Sequence, residues 1–131
     1  MHKTVAAFRG MVVAPHYLAA EAGLNILREG GNAVEAAVAT AATLAVVYPH
    51  MTGLGGDAFW TIHDPASGRV MCVDGSGLSG SRIGPEYLRD RGHTALPQRG
   101  PEAMLTCPGA VSGWSKALEL ARDWSGPLPL D

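Results

Sequence analysis

A glycine-rich loop carries the residues of this chain that are best suited to binding chemistry. Gly53, Gly55 and Gly56 lie within four positions, between His50 and Asp57. Glycines let a backbone turn sharply and approach a ligand or another strand closely, and a ligand would meet such a loop through backbone amides. The loop lacks the Lys-Ser/Thr pair of a phosphate loop and precedes an apolar strand rather than a helix. We therefore predict a binding loop of neither the phosphate nor the dinucleotide type.

The side chains that flank this loop each have two interpretations. His50 is suited to proton transfer or substrate contact, but a histidine after a helix end more often caps carbonyls, which we favour. Asp57 is suited equally to binding a substrate amine and to accepting N–H bonds from the glycine loop. Phe59 and Trp60 begin an apolar strand, so we expect them in the core and in a pocket wall.

Two helices are predicted before the loop. Residues 18–29 have helical spacing, with Leu18, Ala22 and Ile26 on one face, and the helix stops at two glycines. Residues 32–48 begin with Asn32 and Glu35 at the spacing of a capping box, and they end where a proline follows. The body of this second helix is small and apolar nearly all round, so we expect it to be buried.

The elements after the loop are a hairpin and two further helices. Residues 59–63 and 70–73 predict antiparallel strands joined by a turn. A short helix is expected near residues 85–91. A longer helix follows Gly109, and the apolar residues at its helical spacing are Val111, Trp114, Leu118 and Ala121.

Composition excludes several classes of function. A chain of 131 residues forms one domain at most, and a formal charge of −2 without a basic cluster argues against a nucleic-acid partner. No stretch reaches the roughly 18 apolar residues of a membrane span. Residues 1–9 show no secretory signal, so we expect a cytoplasmic protein. With 47% apolar and only 17% charged residues, part of the surface is expected to meet a partner.

The two cysteines give no sign of a metal site. Cys72 and Cys107 are too far apart for a CxxC pair and lack histidines at ligand spacing, so we expect reduced, half-buried side chains. Nothing in the sequence indicates a metal or an organic cofactor.

Five blocks of the sequence, in order, resemble the gamma-glutamyltransferase (gamma-glutamyltranspeptidase) family of N-terminal nucleophile hydrolases. They are residues 10–16 (GMVVAPH), 20–27 (AEAGLNIL), 30–39 (GGNAVEAAVA), 49–59 (PHMTGLGGDAF) and 108–114 (PGAVSGW). Together they are much more specific than a single glycine pattern. The resemblance implies that residues 1–131 correspond to the start of the family's large subunit.

The family chemistry implied by this resemblance depends on a threonine. The precursor cuts itself, and the freed threonine hydroxyl attacks an amide carbonyl while its new α-amine acts as the general base. In the family, that threonine lies in a downstream motif of the Thr-Thr-His-x-Ser type. None of the threonines of this chain stands in such a motif; they are Thr4, Thr40, Thr43, Thr52, Thr61, Thr94 and Thr106. We therefore expect no catalytic residue here, and a downstream small-subunit segment as partner.

The resemblance also bears on the substrate. Glutamyl-specific members carry an Asp-x-Arg-Glu segment after the second strand, and its arginine pairs with the substrate α-carboxylate. Here Ser76 follows Asp74 at the arginine position, and Arg82 would reach back only if the loop folds over. Ser76 is thus either a pocket residue or an ordinary turn serine. The chain resembles members that act on other small amides, such as the oxamate amidohydrolase type.

These observations predict an α/β fold: part of an αββα sandwich, incomplete in this chain, with the first two helices covering the hairpin sheet. The function expected is that of the leading segment of a threonine-nucleophile amidohydrolase or acyltransferase that acts on a small amide. The expected substrate-binding residues are His50, Asp57 and Ser76. The alternative is an inactive piece or a scaffold that needs a separate downstream subunit. A further alternative is a small ligand-binding module, and only the glycine loop supports it.

Overall fold

A computed structural model describes residues 4–103 and 106–124. The elements found there are α1 (Tyr17–Arg28), α2 (Ala33–Val47), β1 (Ala58–His63), β2 (Val70–Gly75), α3 (Pro85–Arg89), a 3₁₀ turn (Pro101–Ala103) and α4 (Ala110–Leu120). The predicted order of helices and strands is confirmed. The expectation about a targeting signal falls partly on residues 1–3, which lie outside the described residues.

The second helix begins with the capping box that the sequence predicts. The Asn32 side-chain oxygen accepts hydrogen bonds from the Val34 and Glu35 amides, each at 3.0 Å. The Glu35 carboxylate accepts from the Asn32 amide at 2.8 Å. At the other end, Tyr48 caps the helix directly before Pro49. Both bounds therefore follow from local chemistry, since the cap satisfies first-turn amides and proline blocks continuation.

Helix α1 packs against α2 through its smallest residues. Ala19 and Gly23 are buried, whereas Leu18 is 40% exposed. A Cβ on Gly23 would lie 2.2 Å from Thr40 Oγ1 and 2.8 Å from the Ala36 carbonyl oxygen. The helix contact therefore lies at Ala19 and Gly23 and not at the apolar position Leu18, because it depends on the absence of a side chain at position 23.

The two strands form an antiparallel hairpin in which Ala58 faces Gly75 and His63 faces Val70. Burial alternates along the strands, and α4 packs against the hairpin. The buried core joins three elements and the residue that follows α4: Val34, Ile62, Ala117 and Ala121. The predicted cover of the hairpin by the first two helices needs correction, since α4 covers it and α2 reaches this core through Val34.

Two predictions about exposure are corrected, and one apolar position of α4 lies outside its buried face. Val111 is 54% exposed, because α4 turns Ala110, Gly113 and Ala117 inward instead. Phe59 is 70% exposed but lines a cleft together with Trp60, so its predicted place in the core is wrong and its place in a pocket wall is confirmed. Cys72 and Cys107 are free and exposed rather than half-buried.

Helix α2 is covered on one side only. Val34, Ala36 and Thr40 are buried, but Val46 is 76% exposed. The α/β class is confirmed, and the described residues hold a single two-stranded sheet, which is fewer strands than a four-layer sandwich requires. Within those residues, no helix combines the length and the apolar character that crossing a membrane requires.

Candidate functional site

A cleft of about 470 Å³ opens between α2, the glycine loop, the start of β1 and α4. Its lining includes alanines of α2, Trp60 of β1, Trp114 of α4, and the aliphatic side chains of Met11, Val12 and Val13. The Thr40 hydroxyl on the α2 wall donates to the Ala36 carbonyl oxygen at 2.8 Å, so it is already satisfied. A mostly apolar cleft with few polar groups is the usual form of a binding site.

Asp57 is the one predicted site residue on this cleft. It is exposed, and it is the only residue with an ionisable side chain among those described as lining the cleft. Its carboxylate accepts no hydrogen bond from the glycine loop among the residues that the structure describes. No described hydrogen bond therefore supports the interpretation that Asp57 stabilises the glycine loop. The role of Asp57 in substrate binding stays a prediction.

His50 lies outside the cleft lining and is exposed. Its ring rests against the Tyr48 ring, with 4.2 Å between centroids. The Tyr48 carbonyl accepts instead from the Met51 and Thr52 amides, at 3.2 and 3.3 Å. The favoured capping role is therefore filled by backbone amides, and a substrate contact by His50 is still a prediction.

Ser76 follows β2 and does not line the cleft with Asp57. The Ser76 hydroxyl and amide hold the pKa of the Asp74 carboxyl below its usual value, and the amide donates to Asp74 Oδ1 at 2.9 Å. No lysine or arginine of the described ranges forms an ion pair with Asp74. Arg82 is exposed, lines neither cleft and forms no ion pair with Asp74 among the described residues.

The glycine loop is anchored to the start of α4. The Gly56 carbonyl oxygen accepts from the Gly109 and Ala110 amides, at 3.0 and 2.9 Å. These are first-turn amides, which a helix cannot satisfy from within. The loop therefore fixes where α4 and Trp114 meet the cleft.

A second cleft of about 480 Å³ lies beside α3, and Arg89 and His93 are among its lining residues. Nearby, the Glu102 carboxylate pairs with His93 Nε2 and with Arg91 Nε, the latter at 3.4 Å. The Arg91 guanidinium also lies 3.6 Å from the centre of the Tyr87 ring. These contacts link α3 to the 3₁₀ turn.

Among the described residues, no hydroxyl that lines either cleft is hydrogen-bonded to a histidine or a carboxylate. Among residues 4–103 and 106–124, no group of three His, Cys, Asp or Glu side chains is arranged to hold a metal ion. The sequence missed Thr52 and Trp114 as cleft residues. Thr52 could have been chosen because it lies inside the glycine loop, whereas Trp114 required the docking of α4.

The arrangement of helices, hairpin and glycine loop is that of a known class. The family model described as gamma-glutamyltranspeptidase matches residues 19–123, so this chain belongs to the gamma-glutamyltranspeptidase family. The fold is similar to the crystal structure of Helicobacter pylori gamma-glutamyltranspeptidase, with a TM-score of 0.78 and 32% identity. That match covers 90% of this chain and 34% of the other.

Two curated relatives are more similar in sequence. The oxamate amidohydrolase proenzyme of Klebsiella pneumoniae is 52% identical over 126 residues, which is 96% of this chain and 23% of that protein. The glutathione hydrolase-like YwrD proenzyme of Bacillus subtilis is 48% identical, over 91% of this chain and 22% of that protein. The chain thus spans less than a quarter of the length of these relatives, and both carry the word proenzyme in their names.

Proposed function

We propose that this chain forms one wall of the substrate pocket of an amidohydrolase of the N-terminal nucleophile type, with an αββα sandwich completed by a companion segment. One observation carries the proposal: the main cleft has a single carboxylate, Asp57, and no hydroxyl that lines this cleft is hydrogen-bonded to a histidine or a carboxylate among the described residues. Acyl transfer requires a nucleophile paired with a base. The companion segment would therefore supply the threonine, and the relatives' much greater length supports its existence.

The substrate that we propose is a small amide without a glutamyl α-carboxylate, with oxamate as its representative. Ser76 has no positive charge, and the Asp74 carboxylate beside it is not paired with a cation among the described residues. Position 76 therefore offers a glutamyl α-carboxylate no charge-assisted hydrogen bond. Hydrolysis of oxamate would release ammonia and leave oxalate. Asp57 would contact the substrate from the cleft, and His50 would lie at its margin.

The test is a chimera in which this chain replaces the matched segment of the Klebsiella pneumoniae oxamate amidohydrolase proenzyme. Ammonia release from oxamate and anilide release from a gamma-glutamyl anilide are measured on the same preparation. Preference for oxamate is the expected result. Preference for the anilide would overturn the substrate assignment. If a folded chimera hydrolysed neither substrate, the result would favour an inactive scaffold.

A further inference from the structure

The second cleft, beside α3, differs from the main cleft in the charge of its lining. Its volume of about 480 Å³ is in the usual range for small-molecule sites. It shares no described lining residue with the main cleft. Arg89 and His93 line it, and none of its described lining residues carries a carboxylate. The second cleft therefore favours an anionic ligand.

Arg89 is the cation that this cleft offers to a ligand. It lies in the last turn of α3, is exposed and forms no ion pair among the described residues. Glu86 and Asp90 are near it in sequence but do not line the cleft. His93, by contrast, is already paired with Glu102. A guanidinium binds a carboxylate through two parallel hydrogen bonds, so a carboxylate is the anion that fits.

Three hydroxyl groups also line the cleft, those of Ser79, Thr94 and Thr106. Ser79 and Thr106 form an antiparallel β-bridge, and side chains paired in this way lie close together on one face. Within the described ranges, none of the three hydroxyls forms a hydrogen bond to another protein group. They are therefore available to the polar end of a ligand.

The rest of the lining is apolar. It consists of Gly84 and of the side chains of Ile83, Pro85, Leu88, Ala95 and Leu96. Leu96 is 66% exposed, and covering such a side chain with an apolar group is favourable. The ligand thus needs an apolar body as well as a carboxylate.

The segment that returns from α3 is held in place by its own contacts. Gly92 has φ 79, and after this turn the His93 amide donates to the Leu88 carbonyl oxygen at 3.0 Å. The Glu102 carboxylate pairs with His93 from the 3₁₀ turn. A site that is formed in advance loses less conformational freedom when a ligand binds.

We propose that the second cleft binds a small monocarboxylate with an apolar body, with the carboxylate on Arg89 and the hydroxyls. Cyclohexanecarboxylate is the probe, because an aliphatic ring matches the aliphatic lining. A dianion fits worse, since Arg89 is the only cation among the described lining residues that is not already paired. The inference does not rest on the proposed function, because no described residue lines both clefts.

Isothermal titration calorimetry of the 131-residue chain and of the chimera tests the binding. Cyclohexylmethanol is the uncharged comparison ligand. We expect the carboxylate to bind both proteins about tenfold more tightly than the alcohol, as a charged hydrogen bond provides. Equal affinities, or no binding by folded protein, would overturn the proposal. Binding to the 131-residue chain but not to the chimera would also overturn it, in favour of a surface that the companion segment covers.

Arg89→Gln tests the charged contact. Arg82→Gln is the matched control, because Arg82 is an exposed arginine that lines neither cleft. We expect Arg89→Gln to weaken binding of the carboxylate about tenfold, to leave that of the alcohol unchanged, and Arg82→Gln to change neither. An equal loss in both variants would indicate general charge attraction and would overturn the site.

Leu96→Ala tests the apolar contact. Leu78→Ala is its control, because Leu78 is 84% exposed and lines neither cleft. We expect Leu96→Ala to weaken binding of the carboxylate and of the alcohol about threefold or more, since apolar area is lost from both complexes. Unchanged affinity in Leu96→Ala, or the same loss in Leu78→Ala, would contradict the assignment of the ligand to this cleft.

Discussion

The backbone of Gly109 approaches that of Gly75 so closely that a Cβ on Gly109 would lie 1.9 Å from the Gly75 carbonyl oxygen. This contact joins the end of β2 to the start of α4. The Gly56 carbonyl oxygen meets the same helix start. Three glycine segments, far apart in sequence, therefore converge where α4 docks on the hairpin.

Gly109→Ala should destabilise the chain by about 1–3 kcal/mol, because the obstructing atom is backbone and must shift. Urea unfolding followed by circular dichroism measures the free energy of unfolding. Gly84→Ala is the control, since its Cβ would meet nothing within 4 Å. Equal stability of the two variants would mean that the close contact does not hold in solution.

Asn32→Ala should lower the free energy of unfolding by about 0.5–2 kcal/mol, because the first-turn amides of α2 lose their cap. Asn25→Ala on the exposed face of α1 serves as the control and should stay within about 0.5 kcal/mol of the unmodified chain. Thermal unfolding of the three proteins measures the difference. A loss at Asn25 as large as that at Asn32 would contradict the role of the capping box.

Ser76→Ala should raise the pKa of Asp74 toward its usual value of 3.8, because the hydroxyl and then the amide of Ser76 lower it. The folded pKa is depressed, so the stability from these bonds is present above pH 3.8 and is lost as the pH falls through the folded pKa. Carbon-detected NMR titration of the carboxyl groups measures the shift.

The control for this titration is Ser67→Ala. The Ser67 hydroxyl is the main cause of the lowered pKa of Asp64, so this variant should raise the pKa of Asp64 and leave that of Asp74 unchanged. A shift of Asp74 in the Ser67 variant, or none in the Ser76 variant, would show that Ser76 does not hold the Asp74 carboxylate.

Ser76→Arg in the chimera should raise kcat/KM for a gamma-glutamyl anilide by about tenfold or more, because a charged hydrogen bond to the α-carboxylate contributes about 1.5–3 kcal/mol. Ser81→Arg adds the same charge on an exposed turn of the same loop and should change nothing. A gain from both variants would point to general charge attraction instead of contact at position 76.

Local patterns predicted most elements of this fold. The capping box of Asn32 and Glu35, the stop at Pro49 and the turn between the strands each depend on neighbours in sequence, and all three are present. The buried faces of α1 and α4 differ from the apolar faces that the sequence periodicity indicates. Periodicity selects bulky residues such as Leu18 and Val111. Small residues allow the closer contact, and sequence pattern alone does not rank them above leucine.

The candidate site was only partly predictable. Asp57 could be placed beside the glycine loop because the two are adjacent in sequence, and it does line the cleft. The docking of α4, which brings Trp114 to the cleft, depends on the contact between Gly75 and Gly109. The only sign of such a long-range backbone contact in the sequence is a glycine. Glycine also occurs in proteins for many other structural reasons.

We propose that this chain shapes a pocket whose nucleophile comes from a companion segment. The most direct test is ammonia release from oxamate by the purified 131-residue chain and by the chimera, at equal concentration, with circular dichroism showing that both are folded. We expect ammonia release by the chimera and none above the blank by the 131-residue chain. Release by the chain alone would contradict it, because the described cleft would then have to contain a nucleophile.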